Sequence, residues 1–490
     1  MNTKLKRGGG VLMPIFSLPS NHGIGSFSKE AFEFVDALHK SKLSYWQILP
    51  INPTGDGNSP YQSYSTFAGN INFIDLESLI DENKIDRENI KNLDFGKYPL
   101  KIDYDKVTKS KIYALKECFD NSFDENDSKY QQFVKKNSFW LDDYSLYMAL
   151  KEHFNEEEWT KWEYDIKIRK KSTIDEYEKK LKNSIDFYKY TQFIFFTQWH
   201  KLKKYANSKG IKIIGDIPIY VALNSSDVWV NPNLFELDKN FKPKLISGCP
   251  PDEFSKNGQL WNNPVYNWKY NKKTGYEWWH QRLEFSLKLY DVLRIDHFRG
   301  FDSFYAVKYG SIDAKDGKWY KGCGYSLFER FKGENIIAED LGFITDSVKK
   351  LLAKSGFYGM KIFQFAVDKG KITDDIPFFY KTNSVAYTGT HDNDTIIGWY
   401  EKLKTKDKQS ISEFLYNDEN LNFSLIKNVL FSSSDVAVIP MADFLGKDSQ
   451  ARINVPATVG ENWTWRMGKN EFDDDLIERI KDIIKLSLRT

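Results

Sequence analysis

Four acidic side chains sit in or just past short apolar runs of the sequence: Asp216 in IIGDIPIY, Asp296 in LRIDHFRG, Glu339 in IIAEDLG and Asp392 in YTGTHDND. Arg294, His297 and His391 lie within a few residues of them. An unpaired charge is costly to bury. A run that mixes Val292, Leu293, Ile295 and Phe298 with Arg294, Asp296, His297 and Arg299 therefore follows a surface edge or ends in a site. Singly, each acid has a plain role, capping the next helix or closing a turn. Together they match what glycoside chemistry needs, two carboxyl groups in unlike surroundings. One attacks or stabilises the anomeric carbon and the other protonates the leaving oxygen. Alternation along a strand puts Arg294 and Asp296 on one side, Ile295 and His297 on the other. Arg294 would then pair with Asp296 and hold it ionised as a nucleophile, while Glu339, in more apolar surroundings, would keep its proton. The THDND cluster also has the donors of a metal site, and spacing alone does not pair the carboxyls.

These residues need elements to bring them together. Short β-branched runs recur at 11–19, 45–51, 211–221, 291–298, 336–340, 360–367, 384–392 and 436–444, each followed by loop residues. Helical patterns fall between several of them, as at 29–42 and 345–356, and Gly210 and Gly356 stand where helix C-caps precede a strand. Alternating strand and helix predicts a parallel sheet, and eight strands predict a (β/α)8 TIM barrel with catalytic residues at the C-terminal strand ends. The chain reads as one catalytic domain over 1–490. It carries a largely helical insertion at 75–190, bounded by the amphipathic segment 189–210, and a loop-rich insertion at 222–290 around the mouth. Long loops inside a compact domain are usually functional. The mixed-charge stretch 167–183 reads as a solvated helix face. GDGNS (55–59) is too short for an EF-hand and reads as a turn. P-loop, GxGxxG and HExxH motifs are missing from the sequence.

Composition narrows the partners. The net charge of +2, from 70 basic and 68 acidic residues in 490, makes no electrostatic case for nucleic acid or an anionic membrane. A 41% hydrophobic and 16% aromatic content supports a large core. The 14 Trp and 28 Tyr offer flat apolar faces with polar edges, which suit sugars. Cys118, Cys249 and Cys323 are far apart and form no CxxC, so a reduced, cytoplasmic setting is expected, without zinc or disulfides. The apolar run after the basic N-terminus is broken by Pro14, which disfavours a signal peptide.

IIGDIPIYV, VLRIDHFRG, IIAEDLG and YTGTHDNDT, in this order, resemble the strand-end regions of the α-amylase clan. SPYQSYSTFAGN (59–70), GCPPDEFSKNGQLWNNPVYNW (248–268) and ARINVPATVGENWTWR (451–466) resemble one branch of it, the amylomaltases or 4-α-glucanotransferases. The resemblance implies Asp296 as nucleophile, Glu339 as general acid/base and Asp392 as transition-state stabiliser. It also implies that Arg294 pairs with the nucleophile and that His297 and His391 bond sugar hydroxyls. Asp216 would be a structural, substrate-proximal acid. Tyr61 would stack on a sugar, and Gln259 and Trp261 would lie on a flexible loop over the bound chain. Asn454 and Trp465 fall in family-like stretches. VPATVGENW departs from the pattern, with Ala457 where the family more often reads Pro-Gly and an additional Glu461. Without the resemblance, Tyr61 and Trp261 would be read as core packing.

The expected reaction is transfer of an α-1,4-glucan segment to the 4-hydroxyl of glucose or another α-1,4-glucan, with retention and no cofactor. Maltooligosaccharides are the expected partners. The alternatives are an α-1,4-glucan hydrolase using the same carboxylates and a non-catalytic glucan-binding protein.

Overall fold

The computed structural model describes residues 5–251 and 256–490. Its main sheet has eight parallel strands: β1 Gly8–Leu12, β2 Tyr45–Gln47, β3 Lys212–Ile217, β4 Val292–Ile295, β5 Ile336–Ala338, β6 Gly359–Ile362, β7 Ser384–Tyr387 and β8 Val436–Pro440. Neighbours run β6-β7-β8-β1-β2-β3-β4-β5. The two end strands meet where Ala338 N donates to Tyr358 O at 2.8 Å and Tyr358 N to Ile336 O at 3.0 Å. The sheet thereby curls into a nearly closed barrel, the arrangement predicted from the alternating runs. Parallel strands covered on both faces read as continuous apolar runs, which is why all eight runs overlap a barrel strand.

The N-terminal run misses the start of its strand for a steric reason. β1 begins at Gly8, and a Cβ on Gly8 or Gly10 would come within 2.8 Å of Tyr45. Gly8 and Gly10 thus belong to a strand packed against Tyr45, and Gly9 to the same strand packed against Ile484.

Helices fill the crossovers. Lys29–Lys40 buries Ala31, Phe34, Val35 and Leu38, one helical face turned to the sheet. Asp346–Ser355 begins at Thr345, whose side chain accepts from Val348 N, and ends at Gly356 with φ 72°. Between β2 and β3 the chain runs through the long helices Tyr104–Ser122, Ser128–His153 and Lys182–Ser208. They are bound by edge and face contacts among Phe119, Phe123, Tyr130, Tyr190 and Phe193.

Residues 222–290, loop-like in composition, hold strands Leu245–Cys249 and Gln259–Pro264 and helices Trp268–Lys273 and Glu277–Leu289. The two strands join Ser303–Lys308 and Lys318–Lys321 in an antiparallel sheet. The partner strand supplies a ladder from Leu245↔Lys308 to Gly248↔Tyr305, so tertiary pairing overrides weak local propensity. Among the described residues no helix is long and apolar enough to cross a membrane.

Candidate active site

Arg294 is the hub of the strand ends. β3 and β4 pair with Asp216 beside Arg294. Arg294 Nη1 donates to Asp216 Oδ2 at 2.6 Å and Nη2 to Asp296 Oδ1 at 2.8 Å, so one planar fork holds two carboxylates. Tyr61 OH donates to the same Asp216 oxygen at 2.7 Å. Asp216 is fully buried and Arg294 is 2% exposed. Burial pushes the Asp216 carboxyl up, against the pull of Arg294. Burial also works against the Arg294 charge, yet Asp216 and Asp296 hold its guanidinium well above its ordinary value. The preceding residue, Gly215, packs beneath the Tyr290 ring, where a Cβ would lie 2.1 Å from it.

Glu339 stands next to Asp296 by register. Ile295 pairs with Ala338, so the two acids follow paired residues on adjacent strands, about 4.8 Å apart in backbone. Glu339 Oε2 accepts from His297 N and Oε1 from Leu341 N, each at 2.8 Å. Its partners are thus backbone amides and no cation. Burial, then the Asp296 charge, push its carboxyl up to about 8 despite Arg294 and the Leu341 amide.

The expected alternation holds for Arg294 and Asp296 and stops there. β4 ends at Ile295, and His297 takes the left-handed conformation at φ 50°, ψ 46°. That turn lays the His297 ring edge-to-face on Trp261, with centroids 4.7 Å apart, and aims its N–H at Glu339. Burial drives the His297 imidazole down to about 4, Arg299 reinforcing it and Asp296 opposing it. The ring is neutral at neutral pH.

Asp392 lies on the loop after β7. Asn454 Nδ2 donates to Asp392 Oδ1 at 2.6 Å and Arg452 Nη2 to the Asp392 carbonyl at 2.6 Å. His391 Nε2 is 3.4 Å from Asp392 Oδ1. The His391 ring stacks on Tyr61 at 5.0 Å and 18°, with Nδ1 3.4 Å from the Tyr61 hydroxyl. One face of Tyr61 is therefore covered by protein. In the rest of THDND, Asn393 Oδ1 accepts from Thr390 N and Oγ1 at 2.9 Å each, and Asp394 accepts from Ser449 Oγ at 2.8 Å. Both act as loop braces.

Gln259 and Trp261, expected on a loop, lie in the strand Gln259–Pro264, with Trp261 Nε1 donating to Gln259 Oε1 at 3.1 Å. Residues 252–255 of the preceding family-like stretch lie outside the described residues.

Trp463 and Arg452 complete the cluster and were not singled out by sequence reasoning. Trp463 stands 5.9 Å from both Tyr61 and His391. Trp465 is held through its backbone, its carbonyl accepting from Ser17 Oγ at 2.8 Å. The signal was present, since ARINVPATVGENWTWR contains all three residues, but a WTW triplet does not say which tryptophan faces the site. Among the described residues no group of three or more His, Cys, Asp and Glu is arranged to hold a metal ion.

A family model described as 4-alpha-glucanotransferase matches residues 13–470. A 4-alpha-glucanotransferase of Clostridium butyricum is 45% identical over 97% of this chain and 99% of its own length. One from Aquifex aeolicus is 42% identical over 94% and 95%. The amylomaltase of Streptococcus agalactiae, solved with acarbose, superposes with a TM-score of 0.96 at 39% identity, covering 99% of this chain and 100% of that one. A family model over most of the chain and near-complete coverage by relatives lead to one conclusion: the chain belongs to the 4-alpha-glucanotransferase family.

Proposed function

We propose that the chain transfers α-1,4-glucan segments by a retaining double displacement on Asp296, Glu339 and Asp392. One observation carries the reading. Asp296 and Glu339 leave adjacent strand ends in unlike settings, the first paired with Arg294 and the second bonded only to backbone amides. Adjacent strands suit the roughly 5 Å carboxyl separation of retaining enzymes.

Asp296 attacks the anomeric carbon through Oδ2, the oxygen outside the Arg294 pair. The glycosidic bond breaks, its electron pair leaves with the 4-oxygen of the departing chain, and Glu339 gives that oxygen its proton. A covalent glucosyl ester on Asp296 remains. An incoming sugar's 4-hydroxyl then attacks the same carbon, Glu339 takes its proton, and the ester electrons return to Asp296. Asp392, its Oδ1 held by Asn454, offers Oδ2 to ring hydroxyls, a contact that strengthens as charge builds on the ring. Neutral His297, and His391, bond sugar hydroxyls. Asp216 and Tyr61 act from beneath by fixing Arg294.

Maltooligosaccharides and α-1,4-glucans serve as donors, glucose or another glucan as acceptor. Gln259 and Trp261 line the bound chain. The insertion at 222–290 covers the mouth, and the protein works in the cytoplasm. The acarbose bound to the Streptococcus agalactiae amylomaltase supports an oligosaccharide ligand.

Incubation with maltotriose tests the reading. A transferase releases glucose and builds longer oligosaccharides at nearly constant total reducing ends. A steady rise in reducing ends would instead identify a hydrolase.

A further inference from the structure

Two walls of the site are tied together above the strand ends. Gln62 Nε2 donates to Trp261 O and to Asn263 Oδ1, both at 3.1 Å, and Asn263 Nδ2 donates back to Gln62 Oε1 at 3.2 Å. This reciprocal amide pair joins segments some two hundred residues apart in sequence. On one side Gln62 follows Tyr61, whose ring lies on His391. On the other, Asn263 stands two residues from Trp261, whose ring lies on His297.

The strand is distorted where the tie forms. Ile246 pairs with Pro264 and Gly248 with Leu260, so four residue steps of one strand face two of the other. Asn262 takes up the excess at φ 60°. Such bulges re-aim side chains and concentrate near functional sites. Here the bulge delivers the Trp261 ring to His297 and the Asn263 amide to Gln62 together. Asn263 is 4% exposed, so its amide depends on Gln62 for partners. The Gln62 loop is itself anchored, with Thr66 N and Oγ1 donating to buried Asp227 at 2.8 and 2.9 Å.

We propose that the Gln62–Asn263 clasp is a specificity-determining element, one that holds the Trp261 wall and the Tyr61 wall closed over the glucosyl-enzyme so that a sugar rather than water resolves it. The proposal rests on the transferase reading above. In the competing step, water attacks the anomeric carbon of the Asp296 ester, Glu339 takes its proton, and the ester electrons return to Asp296. A large acceptor has its own contacts to hold it in place and water has none, so loosening the walls favours water.

The test compares wild-type protein, Gln62→Ala, Gln62→Glu, Asn263→Ala and the Gln62→Ala/Asn263→Ala double variant on maltotriose. New reducing ends measure hydrolysis, and glucose in excess of hydrolysis measures transfer. Gln62→Glu keeps the size and loses the donors to Trp261 O and Asn263 Oδ1, so it separates the hydrogen bonds from packing. It also yields a result if an alanine variant folds poorly. The hydrolysis-to-transfer ratio should rise about fivefold in each single variant, the effect of one ordinary hydrogen bond on the closed state. The double variant should rise no further, because the pair acts as one unit. A ratio within twofold of wild type in Gln62→Glu, or additive increases in the double variant, would overturn the clasp. Wild-type protein that hydrolyses maltotriose without transfer would overturn the underlying reading instead.

Discussion

Arg294→Met is the most informative single substitution away from the three acids. Arg294 is buried between fully buried Asp216 and partly exposed Asp296. Methionine keeps much of the stem volume and removes the fork. Asp216 is then left buried with only the Tyr61 hydroxyl as a partner. Removing one member of a buried pair costs about 3–5 kcal/mol. A chain of 490 residues unfolds with an entropy of roughly 1 kcal/mol per kelvin, so Tm should fall by about 3–5 °C in a reversible transition. The pH dependence separates this cause from lost packing. Without Arg294 the Asp216 carboxyl rises further above its unfolded value, so the folded variant keeps a proton that the unfolded chain has released. Stability then falls as pH rises through that window, by up to about 1.4 kcal/mol per unit. The deficit against wild type should grow as pH rises from 5 to 8, in calorimetry or denaturant titration at both values. Adding Asp216→Asn should recover most of the stability and none of the turnover. A single variant that melts with wild type at both pH values, or a deficit that shrinks as pH rises, would refute the reasoning.

Three further outcomes follow from the same geometry. With Glu339 raised to about 8, kcat/KM on maltotriose should fall as pH rises through that value. Glu339→Gln should lose about 10²–10⁴ in turnover. It should also be more stable than wild type at pH 8 and not at pH 4, because a carboxyl with a raised folded pKa costs stability only above its unfolded value. Asp443, fully buried after β8, accepts from Thr388 Oγ1 at 2.5 Å and from Ile396 N at 2.7 Å and so pins both feet of the Asp392 loop; Thr388→Val should cost about 1–2 kcal/mol in denaturant titration and lower kcat more than it raises KM. Ala457 sits at φ 63°, and Ala457→Gly should relieve about 1 kcal/mol of left-handed strain, part of it offset by unfolded-chain entropy, slowing hydrogen exchange in residues 455–462.

The barrel was legible because its strands are buried on both faces and its crossover helices carry ordinary caps. Asp296, Glu339 and Asp392 stand out in the sequence because charge in an apolar run needs a reason, and the register of β4 and β5 places the first two on adjacent strand ends. What escaped the sequence is what depends on distant partners. The direction of His297 is set by a left-handed turn that strand alternation does not foresee. The burial of Tyr61 against His391, and of Asp216 beneath Arg294, joins residues more than seventy positions apart. The strand at Gln259–Pro264 exists because Leu245–Cys249 pairs with it, and its composition alone reads as a loop. The departure at Ala457 is different in kind. The sequence marks a place where glycine is usual, and the structure supplies the reason in the sign of φ.

The covalent glucosyl ester on Asp296 is the claim on which the mechanism stands. Glu339→Gln protein treated with α-maltotriosyl fluoride should accumulate it, because fluoride leaves without an acid catalyst while resolution still needs the base. Mass spectrometry of the digested protein should place one maltotriosyl group on the peptide containing Asp296. A label on the Asp392 peptide, or no label while the fluoride is consumed with inversion, would contradict it.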